Sequence, residues 1–413
     1  MDIESGHFLL GLTRVIRSFS FSYMAFILPI YLRGVGFSVE LVGVYAFLAT
    51  LSSSVLLVFS GFLGDLYSRR KTLLLVMGLP IVAYTTLIIT TNKTALLLTS
   101  LAGLSLSGMG GGAGGGPVAP LQTAMVASRV KSGRERTSVY SYLTVFSTLS
   151  AVGGGFFSTY IISVFPDEYA RLLFISALTL NLASSLGVWF ITEEPDTRER
   201  LTGKSKKSIL PRKSIKNAGK IALAGSFGSV GLGMVTPLMP LYFKSIGASD
   251  LKVSLVYDAT YILSAIVTLL SSRIERVLGS VKSIFILRSV GTLLLAVLPF
   301  TKSLALAAVI YVARSAAYQA ALPIRQNISM GLYSAEERSR ASSLTGIARR
   351  LPYGIATVFG SLLFSAGEFI GLFASAAGIS FIDPLLYYMF FRNLNIDGEG
   401  AFDLKRSQNA SEV

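Results

Sequence analysis

The chain has 413 residues, of which 52% are hydrophobic and only 14% charged, and its mean hydropathy is +0.62. So few charges cannot cover a water-facing surface of that length. This excludes a string of two or three soluble domains and leaves repeated apolar stretches of about 20 residues, the length that crosses a bilayer. The net charge of +15 invites a nucleic-acid partner, but the cations sit in short loops between apolar runs, with no soluble basic domain to hold one. Cysteine is absent, which removes a disulfide framework and any thiolate metal site.

Twelve spans are expected, over about Phe8–Leu32, Val39–Leu63, Leu73–Thr91, Ala95–Ala127, Val139–Val164, Arg171–Ile191, Ile221–Phe243, Val253–Ser272, Val281–Phe300, Ser303–Ser329, Ala341–Phe364 and Ile370–Phe391. The segment before the first carries Asp2 and Glu4 but no Lys or Arg, and no small-residue cleavage site follows, so the first run reads as a retained span. Of the 37 Lys and Arg, 21 fall in the loops after spans two, four, six, eight and ten, three in the tail, six in the opposite loops and seven inside spans. Positive charge stays cytoplasmic, so both termini are expected there, in a multi-pass protein of the cell membrane. The linker Thr192–Lys220, polar and basic with Pro195 and Pro211, divides the chain into domains 1–191 and 221–391, with a tail over 392–413.

An internal repeat supports that division. Pro29-Ile-Tyr-Leu-Arg33-Gly-Val-Gly36-Phe-Ser38 returns 211 residues later as Pro240-Leu-Tyr-Phe-Lys244-Ser-Ile-Gly247-Ala-Ser249. Glu135-Arg136 returns 202 residues later as Glu337-Arg338. Both copies run in the same direction through the membrane. One stretch, Gly61-Phe62-Leu63-Gly64-Asp65-Leu66-Tyr67-Ser68-Arg69-Arg70-Lys71, packs glycine, one carboxylate and three cations between two apolar runs. It is similar to the loop signature Gly-x-Leu-x-Asp-x-x-x-Arg-Arg-Lys found between the second and third helices of the major facilitator superfamily of secondary transporters. That resemblance implies an all-α fold of twelve transmembrane helices in two parallel six-helix bundles, working by alternating access around a site near midplane. It also implies that Gly61, Gly64, Asp65, Arg69, Arg70 and Lys71 form a cytoplasmic gate.

Seven arginines lie within spans: Arg14, Arg17, Arg288, Arg314, Arg325, Arg349 and Arg350. An arginine near the bilayer centre costs at least about 2.5–3.5 kcal/mol unless it meets a cavity or a partner, so each is a functional candidate. Arg14, Arg288 and Arg325 lie close enough to cytoplasmic ends to snorkel. Arg17, Arg314, Arg349 and Arg350 lie deeper and are the substrate candidates. In the repeat, Arg14 and Arg17 stand opposite Gly225 and Gly228, and Arg349 and Arg350 opposite Ser147 and Thr148, so the shared scaffold does not demand these charges. Asp258 in span eight reads either as a proton-coupling site or as a counter-ion to Arg314, Arg349 or Arg350. Asp383, before Pro384 in span twelve, reads as structural.

The glycines of 108–116 lack the Gly-Lys-Ser/Thr of a phosphate loop and suit close helix packing instead. His7, the sole histidine, leaves no histidine metal site or catalytic triad, and no catalytic residue, metal or cofactor is expected. Arginine in excess of acid suits a carboxylate or phosphate. The expected function is therefore secondary transport of a small organic solute, anionic or polyfunctional, by a monomer in the lipid bilayer with protons or another coupling ion. The alternative is a proton-coupled multidrug exporter of lipophilic compounds. A sensor on the same fold has no soluble domain to relay a signal.

Overall fold

The structure is a computed structural model that describes residues 3–66, 68–104, 116–118, 121–122, 125, 133–191, 212–301, 303–334 and 337–393. Among these residues every regular element is helical: α1 (Ile3–Gly34), α2 (Val39–Leu66), α3 (Arg69–Ile89), α4 (Lys93–Leu98), α5 (Gly133–Val164), α6 (Tyr169–Trp189), α7 (Ile215–Val235), α8 (Met239–Ser245), α9 (Asp250–Leu278), α10 (Ser280–Val297), α11 (Leu304–Leu332), α12 (Arg338–Ser365) and α13 (Phe369–Phe391). A membrane forces this choice, because a helix satisfies every backbone donor and acceptor internally where no water can. Ten described stretches are long and apolar enough to cross, with α7 and α8 counted together as Ile215–Ser245. Helix α12, at 28 residues, has the length but carries Arg338, Arg340, Arg349 and Arg350. The expected fourth span is described only as α4 and scattered residues after it. Most of the glycine run, the linker 192–211 and the tail 394–413 lie outside the described residues.

The chain forms two compact units, and neither is one half of the sequence. The first comprises Met1–Ser205, Thr236–Ile262 and Thr357–Ala366; the second comprises Lys206–Val235, Leu263–Ala356 and Gly367–Val413. In the first unit α1 is central, packed on α5 and α6, with α3 against α6 and α2 against α3. Leu10, Leu73, Val76, Met77, Val188 and Ile191 form one of its cores. Polar cross-links pin the helices in register: Asn181 Nδ2 donates to the Met77 carbonyl at 3.0 Å, and Ser150 Oγ to the Val15 carbonyl at 2.7 Å. In the bilayer such bonds have little water to compete with them. Elsewhere on both units large apolar side chains stay exposed, among them Val55, Leu75, Leu269 and Val309, an arrangement suited to lipid rather than water.

The internal repeat is visible as one turn made twice. At the end of α1, Gly36 has φ 89°, and the Phe37 amide donates to the Leu32 carbonyl at 3.0 Å; after α8, Gly247 has φ 90°, and the Ala248 amide donates to the Phe243 carbonyl at 2.9 Å. Each is a left-handed helix stop that only glycine adopts freely. Two residues on, Ser38 Oγ accepts from the Leu41 amide and Ser249 Oγ accepts from the Lys252 amide, both at 3.3 Å, capping the helix that follows. The Gly-x-Ser of each copy is thus a stop and a start in three residues.

In the second unit α7 packs along α13, and α10 lies against α11 and α13. Ala218, Ile221, Ala224, Ile284, Ile324, Ile328, Tyr387 and Phe391 form its core. Gly231 is required by close approach, since a methyl there would overlap Ser380 and the Ala376 carbonyl. The start of α7 is held by Glu337, whose buried carboxylate accepts from the Ser214 amide at 2.8 Å and the Lys213 amide at 3.2 Å. A carboxylate on the free amides of a helix N-terminus also complements the helix dipole.

Candidate functional site

In the first unit α1 carries Arg17 inward, and its side chain is 2% exposed. Its guanidinium lies over the Phe21 ring, 5.3 Å from the centroid, while Nε and Nη1 have no hydrogen-bond partner among the described residues. No described carboxylate pairs with it. Burying a guanidinium without a counter-ion is among the costlier arrangements a bilayer protein can adopt.

The same unit holds Asp258 on α9. It is buried, and its Oδ2 accepts from Thr159 Oγ1 at 2.5 Å, while the Ser254 hydroxyl lies 2.5 Å from the same Thr159 oxygen. Oδ1 has no partner among the described residues. It faces Gly155 of α5, where any side chain would collide with it, so the third glycine of Gly153-Gly154-Gly155 makes room for this carboxylate. One turn on, Tyr261 Oη donates to the Ser22 carbonyl at 2.6 Å. Among the described residues the hydrogen-bond partner of Asp258 is therefore one neutral hydroxyl, Thr159, itself bonded to Ser254.

The second unit gathers charge from four helices. Asp383 of α13 forms an ion pair with Arg288 of α10, and accepts from Arg325 Nη1 of α11 at 3.3 and 3.4 Å; all three side chains are buried. Arg325 Nη2 also donates to the Ile221 carbonyl of α7 at 3.3 Å. Tyr318 and Tyr387 cover the flat faces of Arg288 and Arg325, with ring centroids 4.2 and 5.4 Å from the guanidinium carbons. Helix α7 allows this convergence by having no side chain in the way. A Cβ at Gly228 would lie 2.6 Å from Asp383 Oδ2 and 3.1 Å from Arg288 Nη1; one at Gly225 would lie 2.5 Å from Arg325 Nη2 and 2.8 Å from Arg349 Cδ. Arg349 of α12 thus enters the cluster beside Arg325. Ser226 Oγ donating to the Ala348 carbonyl at 2.9 Å holds α12 in place there.

Arg288 and Arg325 therefore do not snorkel. Each stays inside because Asp383 pairs with it and the glycine face of α7 gives it space, so Asp383 is the hub of a charge cluster. Position along a span shows how far a side chain is from water, whereas the acid that keeps it inside lies 58 residues from Arg325. The available signal was the repeat: Gly225 and Gly228 occupy the places of Arg14 and Arg17. Of the other substrate candidates, Arg314 is fully buried on α11, and Arg350 is partly buried on α12.

Among the gate candidates, Arg69, Arg70 and Lys71 open α3, where Ser68 caps the helix by accepting from the Lys71 amide at 3.3 Å. Arg70 donates to the Trp189 carbonyl and lies over the Trp189 ring, 5.4 Å from its centroid. The side chains of Gly61, Gly64 and Asp65, at the end of α2, lie outside the described set, as do those of Glu135, Arg136 and Arg338.

A family description for the Major Facilitator Superfamily matches residues 10–356 and 221–403. The chain belongs to the Major Facilitator Superfamily. Solved structures agree in fold. A nucleoside transporter, NupG, is 11% identical with a TM-score of 0.67, covering 95% of this chain and 100% of that one. A D-xylose-proton symporter is 13% identical with a TM-score of 0.71, covering 93% and 97%. A bacterial homologue of the iron transporter ferroportin, in an inward-facing state, is 14% identical with a TM-score of 0.70, covering 94% and 99%. Among curated proteins none matches. As a superfamily member the chain is a multi-pass membrane protein and a secondary transporter of a small molecule, with the expected twelve-helix fold. At these identities the likeness is one of fold, and the cargo has to be argued from the side chains.

Proposed function

We propose that this transporter carries a small organic anion by alternating access, with domains 1–191 and 221–391 as the two bundles and both termini cytoplasmic. The observation that carries the reading is Arg17, a buried guanidinium in the first unit with two nitrogens unpartnered and no acid paired with it among the described residues. A carboxylate or phosphate on the cargo would supply what the fold withholds, and arginine's planar fork suits either. Arg314, Arg349 and Arg350 are proposed as further cargo contacts. Gly61, Gly64, Asp65, Arg69, Arg70 and Lys71 are proposed as the cytoplasmic gate.

Asp258 supports a second reading, proton-coupled export of lipophilic compounds. A carboxylate bonded to Thr159 and facing Gly155, with no ion pair among the described residues, can take up a proton without breaking one. One experiment separates the two. Protein in vesicles is given organic anions or lipophilic cations, with and without a pH gradient. The anion reading expects Arg17→Gln to lower anion flux at least tenfold with unchanged folding, and Arg17→Lys to retain part of it. Export of lipophilic cations that Arg17→Gln leaves intact and Asp258→Asn uncouples from the pH gradient would overturn it.

A further inference from the structure

We propose that Arg288, Arg325 and Arg349, gathered about Asp383 on the glycine face of α7, form a binding site for a compact dianion of the phosphoryl type. The proposal rests on the anion reading above and deepens it by naming the group that is gripped.

Charge is the first argument. Among the described residues three guanidiniums gather with one carboxylate, a surplus of two positive charges, with Arg288 and Arg325 on Asp383 and Arg349 beside Arg325. Arg288 and Arg325 are 1% and 3% exposed, so water does not dissipate that surplus. A lone carboxylate ligand would meet half of it, whereas a phosphomonoester, doubly charged near neutral pH, would meet all of it.

Compactness is the second. Arg325 Nη2 and Arg349 Nε come within 2.5 and 3.0 Å of the same point above Gly225, and one turn along α7 Arg288 Nη1 and Asp383 Oδ2 come within 3.1 and 2.6 Å of the point above Gly228. Cations this close call for a ligand whose two charges share one centre. A dicarboxylate would hold its charges several bonds apart.

Donor direction is the third. Tyr318 and Tyr387 each take one face of Arg288 and Arg325 and so orient the in-plane edges, the edges that fork onto phosphoryl oxygens. Nε of Arg288 and Nε of Arg349 are buried without a hydrogen-bond partner among the described residues. Arg349 also makes no ion pair with Asp383, which leaves it the most available of the three. In this arrangement Asp383 is the resident anion that holds Arg288 and Arg325 together.

The test uses full-length protein in neutral detergent at pH 8, with thermal denaturation followed against inorganic phosphate, sulfate, succinate and chloride at matched ionic strength. Phosphate and sulfate are expected to raise Tm in a saturable way, with apparent affinity at least tenfold above succinate or chloride. Arg349→Gln should weaken phosphate at least tenfold, and Asp383→Asn should tighten it. Should Asp383→Asn not fold, Arg349→Gln alone decides. A parallel arm in phosphatidylcholine vesicles with and without phosphatidic acid tells a free phosphoryl solute from a lipid headgroup. Stabilisation by phosphatidic acid alone assigns the same chemistry to the headgroup. No stabilisation by either, equal stabilisation by chloride, or an unchanged Arg349→Gln overturns the site. Failure here is separable from failure of the anion reading. Flux that depends on Arg17 without phosphate stabilisation sinks this site alone, and phosphate stabilisation with flux indifferent to Arg17 sinks the cargo reading alone.

Discussion

Two glycines on α7 show how a missing side chain can be as specific as a charged one. Gly228 borders Asp383 and Arg288 so closely that a methyl would push the pair apart, whereas Gly219 on the same helix has nothing within 4 Å of the equivalent position. Gly228→Ala is therefore expected to lower stability by about 1–3 kcal/mol through overpacking. Gly219→Ala, with open space and better helix propensity, should be neutral or stabilising by up to about 1 kcal/mol. Thermal denaturation of the two variants side by side reads the difference, and equal Tm values would show that the ion cluster tolerates the extra volume. The candidate arginines were legible in the sequence as intramembrane charges, because a charge among twenty apolar residues cannot be missed. Their partners were not. Asp383 and Arg288 lie on helices with two others between them in the chain, and nothing in either local sequence announces the pairing.

The repeated turn belongs to the scale of elements. Gly36 and Gly247 hold φ near +90°, a region that costs a residue with a side chain about 1–2 kcal/mol. Alanine at Gly247, where nothing crowds the position, should cost that backbone strain alone. At Gly36 the Lys93 side chain lies 3.2 Å from the new Cβ, so the loss there should be at least as large. Differential scanning of both variants checks the equivalence, and a silent Gly247→Ala would mean that the turn relaxes. These helix ends were legible because the repeat brings glycine and serine to the same offset twice, and backbone chemistry leaves few uses for that spacing. Other elements were less legible. Helix α12 falls short of the hydropathy of its neighbours because it carries arginines, so the feature that makes it interesting also weakens its signal as a span. Span seven is not a single helix but α7, a 3-10 turn over Thr236–Leu238 and α8, a break at Pro237 and Pro240 that apolarity alone does not reveal.

For the whole molecule, composition and loop charge determined most of the architecture, because a bilayer permits so few solutions. The orientation proposed from the same loop charges is directly testable, helped by the absence of native cysteine. Thr91→Cys, between α3 and α4, should react with a membrane-impermeant maleimide on intact cells. Lys216→Cys, in the first turn of α7, should react only after permeabilisation. The reverse pattern would invert the topology. The two compact units were not legible. In the first of them Thr236–Ile262 and Thr357–Ala366 pack with α1 and its neighbours, through bonds such as Tyr261 to Ser22 and Thr357 Oγ1 to the Gly43 carbonyl at 3.1 Å. Those bonds join residues 239 and 314 positions apart, beyond the reach of any periodicity argument.

Trp189 is the only tryptophan in the chain, and Arg70 lies over it at the start of α3. The intrinsic fluorescence of the protein is therefore the emission of a single indole with a guanidinium on its face. Any event that draws the cationic loop away from α6 changes the field and the solvent exposure of that one fluorophore. The wild-type protein thus carries a label-free optical reporter at the loop proposed as its gate, available to stopped-flow measurement without a single substitution.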